Sequence, residues 1–221
     1  MTSRTARSRG MPRRSQSSGV RRSPTLAVIG GAVAVVAMAA AVALFSSAPP
    51  TGLAEPASRK LVITGAALPA MPQGGTDPAM GRLVPSISGT GLAGEAVKIG
   101  PGAGAQAVVV LAHWCAHCQA EVPMLTGWLA SHQPPAGVRI VALSTAIDDA
   151  RPNYPPSAWL RREGWTVPTL IDDAGSTGLA ALGVTTFPAF VFVRPDGTVA
   201  SRTSGEISAD QFAIALDAIA P

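Results

Sequence analysis

The sequence predicts an α/β domain, a mixed sheet with helices on both faces, preceded by an N-terminal single transmembrane helix. Three observations carry this expectation. From residue 105 onward, short β-branched runs alternate with segments of helical period. An Asp-Gly pair between the last two β runs signals an antiparallel hairpin. Near the N-terminus, the uncharged run Leu26 to Phe45 is 20 residues long, enough to cross about 30 Å of hydrocarbon as a helix.

The chain divides by composition into a basic cytoplasmic tail (1–23), a transmembrane anchor (24–45), a flexible Pro/Gly/Ala-rich linker (46–80) and a folded domain (81–221). The tail holds seven arginines and no acid. Basic residues stay on the cytoplasmic side, so the expected arrangement is a single-pass cell-membrane protein with an extracytoplasmic C-terminal domain. A cleaved signal peptide is the rival reading, compatible with the small residues Ser46-Ser47-Ala48, but the apolar run exceeds the usual secretory core and no convincing Ala-x-Ala cleavage site precedes Pro49. Arg21-Arg22 also raises a twin-arginine signal, which Ser23-Pro24-Thr25 matches poorly. Of the 17 Lys and Arg, the ten beyond residue 45 stand against all 13 acids. The net charge of +4 therefore belongs to the tail, and no nucleic-acid partner is implied.

Within the domain, Ala107 to Ala112 reads as a buried strand leading directly to Cys115. Ala116 to Ser131 follows as a helix with Val122, Leu125, Trp128 and Leu129 at helical intervals and a kink expected at Pro123. Val138 to Leu143 is a strand, and Ser157 to Glu163 a helix after Pro155-Pro156. Thr169 to Ile171 is a short strand, and Ser176 to Leu182 a short helix closed by Gly183. Ala189 to Val193 and Thr198 to Ser201 flank the turn at Asp196-Gly197, and Ser208 caps a final helix to Ala220.

His113-Trp114-Cys115-Ala116-His117-Cys118 contains both cysteines of the chain. A disulfide between them closes a loop too small to stabilise the fold much, which suits the pair to electron exchange rather than stapling. Cys115, at a strand end and helix start, lies where free N–H groups and the helix dipole favour a thiolate, and is the expected nucleophile. Cys118, one turn on, would resolve a mixed disulfide. His117, protonated or donating a hydrogen bond, would stabilise the Cys115 thiolate and make the couple more oxidising than thioredoxin's, about −270 mV. Glu121, a further turn on, would oppose the thiolate by like charge or accept the Cys118 proton.

Trp114 to Cys118 at a helix start, followed by Gly183-Val184-Thr185-Thr186-Phe187-Pro188 before a hairpin, resembles the thioredoxin superfamily. Cys118-Gln119-Ala120-Glu121-Val122-Pro123 is similar to the Cys-x-x-Glu-x-Pro run of its membrane-anchored, extracytoplasmic TlpA/ResA-type branch, and Gly89 to Ile99 looks like that branch's N-terminal hairpin. The resemblance covers residues 81–221 and implies a thioredoxin-like sheet and protein thiol–disulfide oxidoreductase activity. It also implies that Glu121 tunes the cysteines and that Pro188 is a cis-proline holding Phe187 against the disulfide. Trp114 and Phe187 then become substrate-binding residues. Expected partners are cysteine-containing exported proteins, apocytochrome c among them, and a membrane electron donor or acceptor. No cofactor is called for beyond the cysteines.

Two features depart from the wider superfamily. Val109 stands where many thioredoxins carry a buried acid, and Ala116-His117 replaces the Pro-containing pairs common in reducing members. The alternative function is copper binding and delivery through Cys115, Cys118 and the nearby His113 and His117, whose donor types suit copper. His113 otherwise reads as a surface or packing residue, and His132 as a solvated helix end.

Overall fold

A computed structural model describes residues 60–221. The basic tail (1–23), the anchor (24–45) and residues 46–59 of the linker lie outside the described residues. Among the described residues no helix is long and apolar enough to cross a membrane.

The domain is built around β4 (Ala105–Leu111), in which every residue is buried. Its apolar run is continuous rather than alternating because both faces are covered. Ala105, Ala107, Val109 and Leu111 enter one core, and Val108 and Val110 the other. Strand β5 (Val138–Ser144) pairs with β4 in parallel, and β6 (Thr169–Ile171) with β5. On the other side β7 (Ala189–Val193) runs antiparallel to β4, and β8 (Val199–Ser204) antiparallel to β7. The five-stranded order is β6-β5-β4-β7-β8, the mixed sheet the alternation predicts.

The first face carries α1 (Ala116–Ser131), α2 (Pro156–Arg162) and α4 (Ala209–Asp217). Phe212 of α4 is fully buried there, edge-on to Trp128 of α1 and tilted against Phe190 and Phe192. Helix α1 runs unbroken through Pro123. Ser208 caps α4 as expected, in a full capping box with Gln211. The second face carries one short helix, α3 (Thr177–Ala181), closed at Gly183 with φ +64°.

Most of that second face is covered by a small antiparallel sheet, and here the expected boundary at residue 81 moves. Strand β1 (Val62–Thr64) pairs with β2 (Ser86–Thr90), which pairs with β3 (Ala96–Ile99). Leu61, Leu68 and Ala79 are buried beside Val84, Ile87, Val97 and Ile99. Residues 60–80 are therefore part of the domain and not of the linker. Their prolines and glycines serve an extended strap whose hydrogen bonds go to the domain: Leu68 donates to the Ala181 carbonyl and Met71 to that of Gly183. A Cβ at Gly183 would collide with the Pro69 carbonyl, so glycine at that position also admits the strap. Arg202 of β8, its side chain fully buried, fastens the strap by a bidentate pair to Asp77, with Nε to Oδ2 at 2.8 Å and Nη2 to Oδ1 at 2.6 Å.

Candidate functional site

Strand β4 ends at Leu111, and the turn Ala112 to Trp114 delivers Cys115 as the residue preceding the first turn of α1. This is the carboxyl end of the parallel strands, where open α/β sheets place their ligands. Both cysteines are free thiols. Cys115 is half-buried and its Sγ lies 3.6 Å from the carbonyl oxygen of Phe187. Cys118 is fully buried on the core side of α1, where its sulfur accepts the Ala112 amide at 3.5 Å. Burial pushes the Cys118 thiol well up, assisted by the charges of Cys115 and Glu121 and opposed by that amide.

Trp114 and Phe187 meet edge to face at 6.0 Å beside Cys115. The indole N–H donates to the Ala146 carbonyl at 2.7 Å, and the Arg151 guanidinium lies 4.6 Å above the ring. The Phe187-Pro188 peptide bond is cis. Pro188 itself is buried, while Thr185 and Thr186 before it are exposed.

Glu121 is the buried acid of the site, 2% exposed. Its Oε2 accepts the Ile207 amide at 3.2 Å, and its Oε1 has no hydrogen-bond partner among the described residues. Burial pushes its pKa up to about 7, the Ile207 amide opposes, and the neighbouring charge of Glu206 adds to the rise. At neutral pH the carboxyl is thus divided between its two protonation states, the condition for a group that takes and returns a proton.

His117 projects outward instead of along α1. Its Nδ1 lies 2.6 Å from Glu206 Oε1, with both side chains exposed. That contact takes the Nδ1 position, leaving Nε2 as the nitrogen free of Glu206. His113 is fully buried. Its Nδ1–H donates to the Pro152 carbonyl at 2.7 Å while Nε2 accepts the Asp148 amide at 3.2 Å, which assigns a neutral ring. Both of its nitrogens are engaged in holding the loop after β5, so His113 drops out of a copper ligand set. Among the described residues no group of three or more His, Cys, Asp or Glu is placed to hold a metal ion. His132 caps the end of α1 and stacks on Trp128.

The structure thus brings Trp114, Cys115, Cys118, Glu121, Phe187 and Pro188 to one end of the sheet, with His117 at its rim. It adds Glu206, Ile207 and Arg151, which carry no local motif in the sequence. No family model matches the chain, and no curated protein does. Solved structures do. A DsbF homologue from Corynebacterium diphtheriae superimposes with a TM-score of 0.54 at 18% identity, covering 69% of this chain and 99% of its own. The chain has the thioredoxin fold. A thiol:disulfide interchange protein of the thioredoxin family from Chlorobium tepidum superimposes with a TM-score of 0.50 at 20% identity, covering 64% and 97%. In the thioredoxin fold of this chain, the free thiol pair lies where β4 meets α1, with Cys115 facing the cis-proline loop and Cys118 buried behind it.

Proposed function

We propose that this protein is a membrane-anchored, extracytoplasmic thiol–disulfide oxidoreductase that exchanges its Cys115–Cys118 dithiol with cysteines of exported proteins. The observation that carries the reading is the asymmetry of the pair. An accessible thiol at a helix start faces the Phe187 carbonyl, and a wholly buried thiol with its proton held lies one turn behind.

In the reducing direction, the Cys115 thiolate attacks a substrate disulfide, forming a mixed disulfide and expelling one substrate thiolate. Cys118 then gives up its proton, with the ionised Glu121 as acceptor, and attacks Cys115 Sγ. The Cys115–Cys118 disulfide forms as the Cys115–substrate bond breaks. The second substrate sulfur leaves as a thiolate and takes a proton, so two electrons have passed to the substrate. Trp114 and Phe187 flank the attacking sulfur and form the surface against which the substrate segment lies. A membrane electron donor returns the pair to the dithiol.

The reducing direction is supported by the surroundings of the thiols. His117 has Nδ1 taken up by Glu206 and makes no hydrogen bond to Cys115 among the described residues, so only the charge of its ring is left to favour an oxidising couple. Glu121 and Glu206 add negative charge that disfavours thiolates. Apocytochrome c is a substrate of the appropriate class. Anchoring rests on the uncharged run at 24–45 and the arginines before it.

The test is insulin-disulfide turnover by the intact reduced protein, followed by equilibration with dithiothreitol. The expected outcome is turnover that Cys115→Ser abolishes, and a potential of about −250 mV or lower. Absence of turnover overturns the exchange reading, and a value near about −120 mV, that of a strong oxidant, overturns its direction. Carbonate extraction of membranes, with the domain digested only by protease added from outside, tests the placement.

A further inference from the structure

Three consecutive residues between β8 and α4 reach three different parts of the dithiol's surroundings. Gly205 donates its N–H to the Pro188 carbonyl at 2.8 Å. Glu206 engages Nδ1 of His117 at 2.6 Å. Ile207 donates its N–H to Oε2 of Glu121 at 3.2 Å. The segment is held at both ends, since Gly205 has φ +88° and Ser208 is locked into the capping box of α4. A single short loop therefore grips the cis-proline segment, the histidine between the cysteines and the buried carboxyl.

Of the three contacts only the middle one is made by a side chain, and that side chain is charged. We propose that Glu206 is a positioning residue that biases the Cys115–Cys118 couple toward the disulfide, by holding His117 through Nδ1 and by placing a negative charge beside Glu121. The inference rests on the exchange reading given above. A histidine free to turn toward Cys115 would stabilise a thiolate, and with it the reduced form. A carboxylate that holds this ring at the rim withholds its hydrogen bond from Cys115 and adds repulsion of its own. The rise in the Glu121 pKa, to which the Glu206 charge contributes after burial, points the same way. Because His117 and Glu206 are both substantially exposed, water screens the pair and the effect is modest, on the order of that of a surface ion pair.

The experiment measures the equilibrium of the full chain with glutathione at pH 7 and low salt, for wild type, Glu206→Gln and Glu206→Lys. Glu206→Gln is expected to shift the constant toward the dithiol by about threefold, equivalent to about 14 mV for a two-electron couple. Glu206→Lys shifts it further in the same direction, by about tenfold. The differences shrink in 1 M salt, where charges are screened beyond about 3 Å. A role confined to holding the loop in shape would show neither the ordering by charge nor the salt dependence. Constants equal to wild type in both variants, or shifts unrelated to charge, overturn the assignment of Glu206. If the wild-type chain does not equilibrate with glutathione at all, the exchange reading itself fails.

Discussion

The thiol of Cys115 faces the backbone carbonyl of Phe187, Sγ to O at 3.6 Å, although the two residues are 72 apart in sequence. The sulfur is thereby set beside a peptide edge, with the rings of Trp114 and Phe187 crossing at 89° next to it. In the proposed exchange, a substrate cysteine joined to Cys115 would have backbone alongside it to pair with, a geometry suited to extended segments rather than folded surfaces.

The two thiols are predicted to differ sharply in reactivity. In the reduced protein at pH 7, iodoacetamide is expected to modify Cys115 at least about 100-fold faster than Cys118, which is fully buried and has its proton held by that burial. Mass mapping of short reaction times checks this. Cys118→Ser is expected to accumulate mixed disulfides through Cys115, and equal labelling of both cysteines in the native protein would remove the division of roles.

Glu121 predicts a pH dependence of stability with a definite sign. Its folded pKa, about 7, lies above the ordinary value of 4.5, so folding favours the protonated carboxyl. The reduced protein loses stability as pH rises from about 4.5 to 7, by at most about 3 kcal/mol, and the loss levels off above that. Glu121→Gln keeps an acceptor for the Ile207 amide and is expected to flatten the profile. Urea midpoints of both proteins from pH 4 to 8 decide it, and parallel profiles would refute the burial-driven shift.

Asp77 predicts the opposite slope at acid pH. The hydrogen bond from Arg202 holds its carboxyl below the usual range. The pair contributes stability above about pH 4 that is lost as pH falls through the lowered value. Asp77→Ala leaves the buried guanidinium of Arg202 without its counter-charge and is expected to cost about 3 kcal/mol. Thermal denaturation at pH 7 measures it.

Phe212 joins α4 to the sheet by contacts with Trp128, Phe190 and Phe192. Phe212→Ala is expected to destabilise by about 3–5 kcal/mol, through lost transfer energy and the cavity left behind. Because α4 begins just after Ile207, the same variant should also raise solvent exchange at the Ile207 amide. Hydrogen exchange of the two regions tests the coupling.

What was legible in the sequence is what short-range pattern can encode. The Cys-x-x-Cys pair at a strand-to-helix junction, the all-apolar run of β4, the cap at Ser208 and the stop at Gly183 each place their signal within a few residues of its effect. Leu61-Val62-Ile63 showed nothing comparable, because a three-residue strand among prolines and glycines has too little period to register, and its partner Ile87 lies far along the chain. His113 read as an ordinary histidine for a related reason: the loop that satisfies both its nitrogens is more than 30 residues away. Glu121 stood out only by its spacing from Cys118. Its neighbour Glu206 had no spacing to betray it, since the two meet only when α4 docks.

The separations that hid those contacts also govern when the site comes into being. Cys115 meets Phe187 across 72 residues, Glu121 meets Ile207 across 86 and His117 meets Glu206 across 89. A chain that has not yet folded therefore carries two ordinary thiols three residues apart. Only the long-range packing of the finished fold hides one of them and surrounds the other. The difference between the two cysteines is a property of the finished fold, so a misfolded copy keeps its thiols but loses its chemistry.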